Sequence, residues 1–325
     1  MDRFCSICTI IKDEIQYLQE WIDYNLSIGM KHIYIYEDID SESHKDICDN
    51  YPDTVSLFYI NDIVEYIDVN NKQITVFKYF LKEYKNELDY VAFIDIDEFI
   101  MFDEDYSLNK LLNEFQGYNG VYLYWKTYGA NMQIENDPTK GVLERFTKIA
   151  DTLQDDAHFD FKTILNTKKE EAKMKTHHEV FDGVTTELSY EYTDKTFKKA
   201  WINHYFTKSW EEWAWRFHKR GDIVKNHRRI EQFFETNKDM EHLKEELIDE
   251  VITKYNLIKI NHDDMENVKN LDIEKMERRK EFEERFKKIR EERGMKKNHP
   301  LFDKNLFMER FEKFKQLREQ KKQEN

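Results

Sequence analysis

The sequence is poor in the residues that build several classes of protein. Three cysteines exclude a disulfide framework and favour a reducing compartment. Eight glycines and three prolines are too few for a glycine-rich nucleotide loop or for an all-β fold built on tight turns. No apolar run approaches the roughly 20 residues of a membrane-spanning helix, and no basic segment followed by an apolar one opens the chain. We therefore expect a cytoplasmic protein, with the membrane surface as the alternative location.

Charge is abundant and unevenly distributed. The net charge is −15, yet residues 271–325 hold 18 Lys/Arg against 13 Asp/Glu, whereas residues 1–270 hold 33 against 53. An acidic body argues against a nucleic-acid partner, because nucleic-acid binders are usually basic. The basic tail carries narrow seams of phenylalanine at helical spacing, which predicts packing or homo-oligomer contact, with a peripheral membrane contact as the alternative.

Strand and helix patterns alternate through the first half of the chain. We predict strands over residues 4–11, 32–36, 55–60, 90–94 and 120–125, and helices over 13–28, 41–50, 72–84 and 108–115. Such alternation predicts an α/β fold with a mostly parallel sheet flanked by helices. From about Lys238 the sequence is polar and helical. We therefore predict an α/β domain over residues 1–235 and a charged α-helical extension over residues 236–325.

The strongest local signal is a group of acidic residues in the segment FIDIDEF. Asp95 and Asp97 follow an apolar strand and, in extended backbone, point to the same side, with Glu98 directly after them. Paired carboxylates suit a hard cation such as Mn²⁺ or Mg²⁺, which can clamp a diphosphate. A metal-dependent phosphatase or nuclease is the alternative. It is disfavoured because Phe99 stands where the phosphatase motif has Thr or Val, and Asp97 where the nuclease motif has Glu.

Seven segments resemble, in a shared order, the nucleotide-sugar glycosyltransferases of family 2 and family 92. They are KDEIQYLQEWIDYNLSIGMKHIYIYEDIDSES, FIDIDEF, VYLYWKTYGA, LERF, FKTIL, THH and INHYFTKSWEEWAWRFHKRGD, within residues 5–225. The resemblance implies the GT-A fold, a Rossmann-like sheet whose Asp–X–Asp motif holds Mn²⁺ or Mg²⁺ on a UDP-sugar. It implies inverting transfer of a hexose, galactose or glucose, to a hydroxyl of a glycan or glycoconjugate.

The same resemblance assigns roles to individual residues. It implies that Lys12, Glu37, Asp38 and Asp95 bind the UDP-sugar donor. It implies that Trp125, Lys162 and His178 bind the acceptor. It implies that Asp95, Asp97 and His204 are the metal ligands, although His204 also fits a packed position on an aromatic strand. Arg145 and Lys162 match basic positions that face phosphates or the acceptor, and Asp13 replaces the asparagine usual in the family.

Inverting transfer needs a carboxylate base within reach of the acceptor hydroxyl. Glu211 and Glu212 follow Ser209, a good helix N-cap, so both acids fall in the first turn of a predicted helix. We expect Glu212, or else Glu211, to be the base, while Asp160 and Glu179 stay open as alternatives. A second hypothesis, from a different class, is a catalytically silent scaffold of GT-A shape that acts through its helical tail.

Overall fold

The structure is a computed structural model of the 325-residue chain. It describes residues 4–38, 41–66, 72–150, 161–169, 172–174, 179–181, 186–187, 199–219 and 232–255. These residues fall into two compact units. The first unit holds the described residues up to 125 and those from 161 to 203, and the second holds residues 126–150 and those from 204 to 255.

The helices and strands alternate as the sequence predicts. The strands are β1 (Cys5–Ile11), β2 (His32–Glu37), β3 (Val55–Tyr59), β4 (Tyr90–Phe93), β5 (Glu98–Phe102), β6 (Gly120–Thr127), β7 (Phe161–Asn166), β8 (Ala172–Met174), β9 (Glu179–Phe181), β10 (Thr186–Glu187) and β11 (Ala200–His204). The α-helices are α1 (Ile15–Ser27), α2 (Lys45–Cys48), α3 (Lys72–Tyr84), α4 (Leu108–Glu114), α5 (Val142–Arg145), α6 (Trp210–Lys219), α7 (Gln232–Thr236) and α8 (Lys244–Tyr255). Short 3₁₀ helices cover Ile60–Tyr66, Lys85–Glu87 and Lys238–Leu243.

The main sheet has the strand order β3-β2-β1-β4-β7-β6-β11-β5, and β10 pairs with β6. Strands β3, β2, β1 and β4 are parallel to one another, whereas β7 runs antiparallel between β4 and β6. β6 and β11 each begin in the first unit and end in the second. A mostly parallel sheet with helices in its crossovers confirms the predicted α/β fold class.

Two backbone features set the ends of α1. The helix predicted from residue 13 begins at Ile15, because Asp13 has a φ of 53° and cannot belong to a right-handed helix. Gly29, at φ 104°, ends it, since a left-handed residue after the last turn lets the Met30 N–H donate to the Asn25 carbonyl at 3.1 Å. Asp13 therefore belongs to the turn between β1 and α1, and Gly29 ends the helix at its other end.

The second unit has its own apolar core. The core consists of Ala130, Trp210, Trp213, Ala214, Phe233, Phe234, Met240 and Leu247. Residues on both sides of the predicted boundary at 235/236 contribute to it, and the division into domains stays a prediction. The tail beyond Tyr255 lies outside the described residues. Among the helices that the structure describes, none is both long and apolar enough to cross a membrane.

Candidate active site

The carboxyl ends of three neighbouring parallel strands bring the predicted donor residues to one edge of the sheet. Lys12 follows β1, Glu37 ends β2 with Asp38 after it, and Asp95 comes two residues after β4. The Asp38 N–H donates to the Ile11 carbonyl at 2.9 Å, which ties the ends of β1 and β2 together. This edge is where open α/β sheets form their binding sites.

Asp95 is held from two sides. Its Oδ1 accepts a hydrogen bond from Gln73 Nε2 on α3, and its Oδ2 accepts one from Lys162 Nζ on β7, both at 2.8 Å. The Lys162 side chain is 3% exposed, whereas that of Asp95 is 33% exposed. The Lys162 ammonium also lies 5.9 Å from the centre of the Trp125 ring. Two residues predicted for the acceptor side, Trp125 and Lys162, therefore lie beside a residue predicted for the donor side.

Glu98 is buried completely and anchors the acidic motif. Its Oε2 accepts from the Asp95 N–H at 2.9 Å and lies 3.5 Å from Lys162 Nζ, while its Oε1 has no hydrogen-bond partner among the residues that the structure describes. Its backbone carbonyl accepts from Trp21 Nε1 at 2.8 Å, which links β5 to α1. Burial raises the pKa of Glu98 well above its usual range, the Lys162 ammonium opposes this rise, and the carboxylates of Asp95 and Asp97 add to it.

The side-chain oxygen atoms at the end of β4 are suited to bind a hard divalent cation. The carboxyl groups of Asp95 and Glu98 contact the ammonium of Lys162, and the carboxylate of Asp97 acts electrostatically on Glu98. Carboxylate oxygens are the ligands that Mn²⁺ and Mg²⁺ prefer. Within the part of the chain that the structure describes, no group of three or more His, Cys, Asp or Glu residues converges as a ready metal site.

His204, the third predicted metal ligand, is the last residue of β11 and belongs to the second unit. It is buried, and its ring packs 5.6 Å from the ring of Phe206. Its backbone carbonyl accepts from the Tyr128 N–H at 2.9 Å. These contacts are those of a packed histidine on an aromatic strand, the alternative expected from the sequence. The role of His204 as a metal ligand stays a prediction.

His44, which sequence reasoning missed, connects β2 to the turn after β1. It is fully buried, and both its backbone N–H and its Nδ1 bond to Glu37 Oε2, at 2.8 and 2.9 Å. Its Nε2 accepts from the Glu14 N–H at 2.9 Å. Because a backbone N–H can only donate, the ring is the neutral tautomer with its proton on Nδ1. One signal was available, since a buried glutamate at a strand end needs a partner.

Asp13 closes the same turn from its other side. Its N–H donates to Ser41 Oγ and its Oδ1 accepts from the Glu42 N–H, both at 2.9 Å. Aspartate tolerates the left-handed backbone that this turn requires, as asparagine does, so the replacement of the asparagine usual in the family keeps the turn. Asp38 also has a protein partner, because its Oδ2 accepts from Lys72 Nζ at 2.6 Å in a buried ion pair.

Glu212 forms a buried ion pair in the second unit. Its Oε2 lies 2.7 Å from Arg145 NH2 and its Oε1 lies 3.3 Å from Arg145 NH1. Oε2 also accepts from the N–H of Ser209 at 3.0 Å, and the Glu212 N–H donates to Ser209 Oγ at 3.3 Å. This reciprocal pair is a capping box, so Ser209 caps α6 as the sequence predicts.

Glu211 has different contacts. Its Oε2 accepts from the Asn136 N–H at 3.0 Å, and its own N–H donates to the Ile134 carbonyl at 2.9 Å. His178 and Asp160 lie outside the described residues. Glu179 begins β9, and its side chain is not among those described.

Comparison with known proteins identifies the family. The family model of glycosyltransferase family 92 matches residues 4–278. No curated protein matches the chain. Glucosyl-3-phosphoglycerate synthase from Mycobacterium tuberculosis, solved with Mn²⁺, UDP and phosphoglyceric acid, is 12% identical, with a TM-score of 0.29 over 38% of this chain and 44% of that one. HddC from Yersinia pseudotuberculosis is 10% identical, with a TM-score of 0.31 over 62% of this chain and 93% of that one.

A second mycobacterial structure is 11% identical, with a TM-score of 0.26 over 38% of this chain and 42% of that one. The matched region thus spans less than half of the two mycobacterial chains. The family model, in contrast, covers most of the present chain and includes every residue predicted for the site. The chain belongs to glycosyltransferase family 92.

Proposed function

We propose that this chain moves a hexose, galactose or glucose, from a UDP-sugar to a hydroxyl of a glycan or glycoconjugate, with inversion at the anomeric carbon. One observation carries the proposal. The residues predicted to bind the donor lie at the carboxyl ends of the neighbouring parallel strands β1, β2 and β4, and at the end of β4 the buried ammonium of Lys162 contacts Asp95 and Glu98. Such an edge suits a ligand with a nucleoside, a diphosphate and a sugar, because each part needs different polar partners.

We assign the nucleoside to the ends of β1 and β2. Lys12, Glu37 and Asp38 are the proposed donor contacts there. Carboxylates suit this role because each offers about four lone-pair sites, which can serve a protein partner and a uracil N–H or ribose hydroxyl together. His44 and Lys72, the buried partners of Glu37 and Asp38, would hold the carboxylate oxygens of these acids in place before the nucleotide binds.

We assign the diphosphate to the end of β4, with Asp95, Asp97 and His204 as the residues that would hold Mn²⁺ or Mg²⁺. When bound, the metal supplies positive charge that neutralises the departing diphosphate. Lys162 and Gln73 fix the direction of the Asp95 carboxylate. Lys162, with Trp125 and His178, is also the proposed contact with the acceptor or the transferred sugar.

The proposed base is one of the two acids that open α6. It would take the proton of the acceptor hydroxyl as that oxygen attacks the anomeric carbon and the bond to UDP breaks. Both oxygens of Glu212 face the Arg145 guanidinium, which stabilises the ionised form and weakens it as a base. The Glu211 carboxylate accepts from the backbone N–H of Asn136. The guanidinium contact of Glu212 leads us to propose Glu211 before Glu212, the reverse of the order expected from the sequence.

We further place the reaction in the cytoplasm, with no nucleic-acid partner. The charged C-terminal extension, which the sequence predicts to be helical, is proposed as the contact with a second copy of the chain or with a membrane surface.

The testing experiment is UDP release by the purified protein with water as the acceptor. UDP-galactose, UDP-glucose, UDP-N-acetylglucosamine and UDP-N-acetylgalactosamine are compared, each with Mn²⁺ and with EDTA, beside a variant carrying Asp95→Ala and Asp97→Ala. We expect metal-dependent release from one donor, lost in the variant. Absence of release and of any thermal shift with every donor would favour the silent scaffold. Phosphate or nucleotide release from generic substrates would favour a phosphatase or nuclease.

A further inference from the structure

We propose that Arg145 and Glu212 are positioning residues that hold the carboxylate of Glu211 in place for proton transfer. They act through the segment of residues 131–136, called here the 131–136 loop. The inference rests on the proposed function, in which Glu211 is the base. It also gives Arg145 a role other than the phosphate or acceptor contact expected from the sequence.

The first step is the ion pair itself. The side chains of Arg145 and Glu212 are 1% and 8% exposed, and two of the guanidinium nitrogens face the two carboxylate oxygens. A buried charge without its partner is strongly unfavourable, so each member of such a pair fixes the other. Because Glu212 is also part of the capping box of α6, the pair joins α5 to the first turn of α6.

The second step runs from Arg145 to the 131–136 loop. Its Nε donates to Gln133 Oε1 and its NH1 donates to Asn136 Oδ1, both at 3.1 Å. Gln133 Nε2 in turn donates to the Arg145 carbonyl at 2.6 Å. The guanidinium therefore contacts the middle and the end of the loop while it binds Glu212, which requires the planar, forked geometry of arginine.

The third step runs from the loop to Glu211. The Asn136 N–H donates to Glu211 Oε2 at 3.0 Å. The N–H groups of Trp210 and Glu211 donate to the carbonyls of Gln133 and Ile134, at 3.1 and 2.9 Å. The first N–H groups of a helix have no partner within the helix, and here the loop supplies two of those partners. The Glu211 carboxylate is thus two contacts away from Arg145, through Asn136.

The backbone of the loop supports the same interpretation. Asn131 and Met132 are consecutive non-glycine residues with left-handed φ values of 55° and 60°. Asn131 is held by three hydrogen bonds, among them one to Thr147 Oγ1 at 3.0 Å and one from the Lys148 N–H at 2.8 Å. Such unfavourable backbone persists only where surrounding contacts enforce it, and it concentrates at functional sites. The loop is therefore built to keep one conformation.

The test distinguishes a role of the Arg145–Glu212 pair in positioning Glu211 from a role in the stability of the fold. In a double variant, Arg145→Met with Glu212→Gln, the two buried charges are removed together, while an amide oxygen at position 212 can still accept from the Ser209 N–H and keep the capping box. The variant nonetheless lacks the donors to Gln133 and Asn136. Arg145→Lys keeps the charge but not the fork. Glu211→Gln removes the proposed base, and Lys148→Met, which breaks an exposed ion pair with Asp239 in the same unit, is the matched control.

Turnover is measured as UDP release from UDP-galactose with Mn²⁺, from pH 5 to pH 9, and exchange of the Asn136 amide is followed by hydrogen–deuterium exchange. We expect the double variant to lose about 100-fold in kcat while its KM for the donor stays near that of the parent, because misplacing a reacting group has this effect. Its Asn136 amide should exchange about tenfold faster. Lys148→Met should match the parent in both measurements, and Arg145→Lys should fall between them.

A folded double variant with the kcat, pH profile and Asn136 exchange of the parent would show the inference to be wrong. If Glu211→Gln keeps the parent kcat, the assignment of the base fails, and the exchange rates still decide whether the pair holds the loop. If no donor is turned over, the proposed function fails separately and exchange alone decides. Should the double variant not fold, Arg145→Lys is judged by the same criteria.

Discussion

The ammonium of Lys162 lies 2.8 Å from Oδ2 of Asp95, although 67 positions of sequence separate the two residues. The lysine comes from β7 and the aspartate follows β4, so the contact exists only because these strands are neighbours in the sheet. It places a fixed positive charge, almost fully buried, against the acidic motif. The stability of this edge of the sheet and the proposed binding of an anionic donor there would both depend on this contact.

Replacing Lys162 by methionine should destabilise the protein by about 1–3 kcal/mol, because the partly buried Asp95 carboxylate loses a charge-assisted hydrogen bond and the buried Glu98 carboxyl loses a neighbouring donor. The measurement is the free energy of unfolding from urea titrations. Lys168→Met is the control, since the ammonium of that exposed lysine near the end of β7 donates to the Asn86 carbonyl and contacts no carboxylate among the described residues. Equal stability of the two variants would contradict the prediction.

The stability of the metal-free protein should fall as the pH rises, through Glu98. Its pKa is raised in the folded state by burial, so between the usual glutamate pKa and the raised one the folded protein holds a proton that the unfolded chain releases. The contribution is complete at low pH and is lost as the pH rises through the raised pKa. Glu98→Gln cannot ionise and should lose this part of the pH dependence. Melting temperatures of both proteins in EDTA, from pH 5 to pH 8, test this, and parallel curves would contradict it.

Gly129→Ala should destabilise the second unit by about 1–3 kcal/mol through overpacking. A Cβ at this position would lie 2.7 Å from Asn237 Oδ1, which accepts from the Ala130 N–H at 2.6 Å. Gly117→Ala is the matched control, because its Cβ would meet no atom within 4 Å. Thermal unfolding of both variants is the measurement, and the prediction fails if they melt at the same temperature.

His44→Ala should cost about 2–4 kcal/mol and reduce the thermal shift produced by UDP. The substitution removes the ring Nδ1 donor to the buried Glu37, although the backbone N–H of residue 44 still donates to it, and it leaves the Glu14 N–H without its acceptor Nε2. His242→Ala, at an exposed histidine, is the control. If UDP raises the melting temperature of a folded His44→Ala protein as much as that of the parent, His44 does not support nucleoside binding.

Much of the fold follows from periodicity. The strands β1 to β4 and β6 are predicted correctly because apolar runs of strand length alternate with helices of amphipathic spacing. β5 is missed, since it begins at Glu98 directly after the acidic motif and its short run lacks turn residues between it and β4. The reversal of β7 is missed as well, because local sequence does not encode which strands become neighbours.

The candidate site, like the fold, is predictable from the sequence only in part. Asp95 is identifiable from local sequence, because an acid at the end of an apolar strand stands out, whereas Glu37 is expected only from the resemblance to the family. The pairing of Asp95 with Lys162 and of Glu37 with His44 could not be predicted, since each contact depends on how distant segments meet. For the same reason the capping box of Ser209 is predictable, whereas the Arg145 ion pair with Glu212 is not.

The antiparallel direction of β7 has a consequence for charge. In the register that pairs Ala92 with Ile164, the start of β7 lies at the carboxyl end of β4. A parallel strand would begin at the opposite edge and bring its first residues nowhere near Asp95. Because side chains alternate across a strand, a slip of one residue would turn Lys162 to the other face and offer Phe161 or Thr163 to the carboxylates instead. The electrostatic balance of the site is therefore encoded in the alignment of two strands as much as in the identity of any acid.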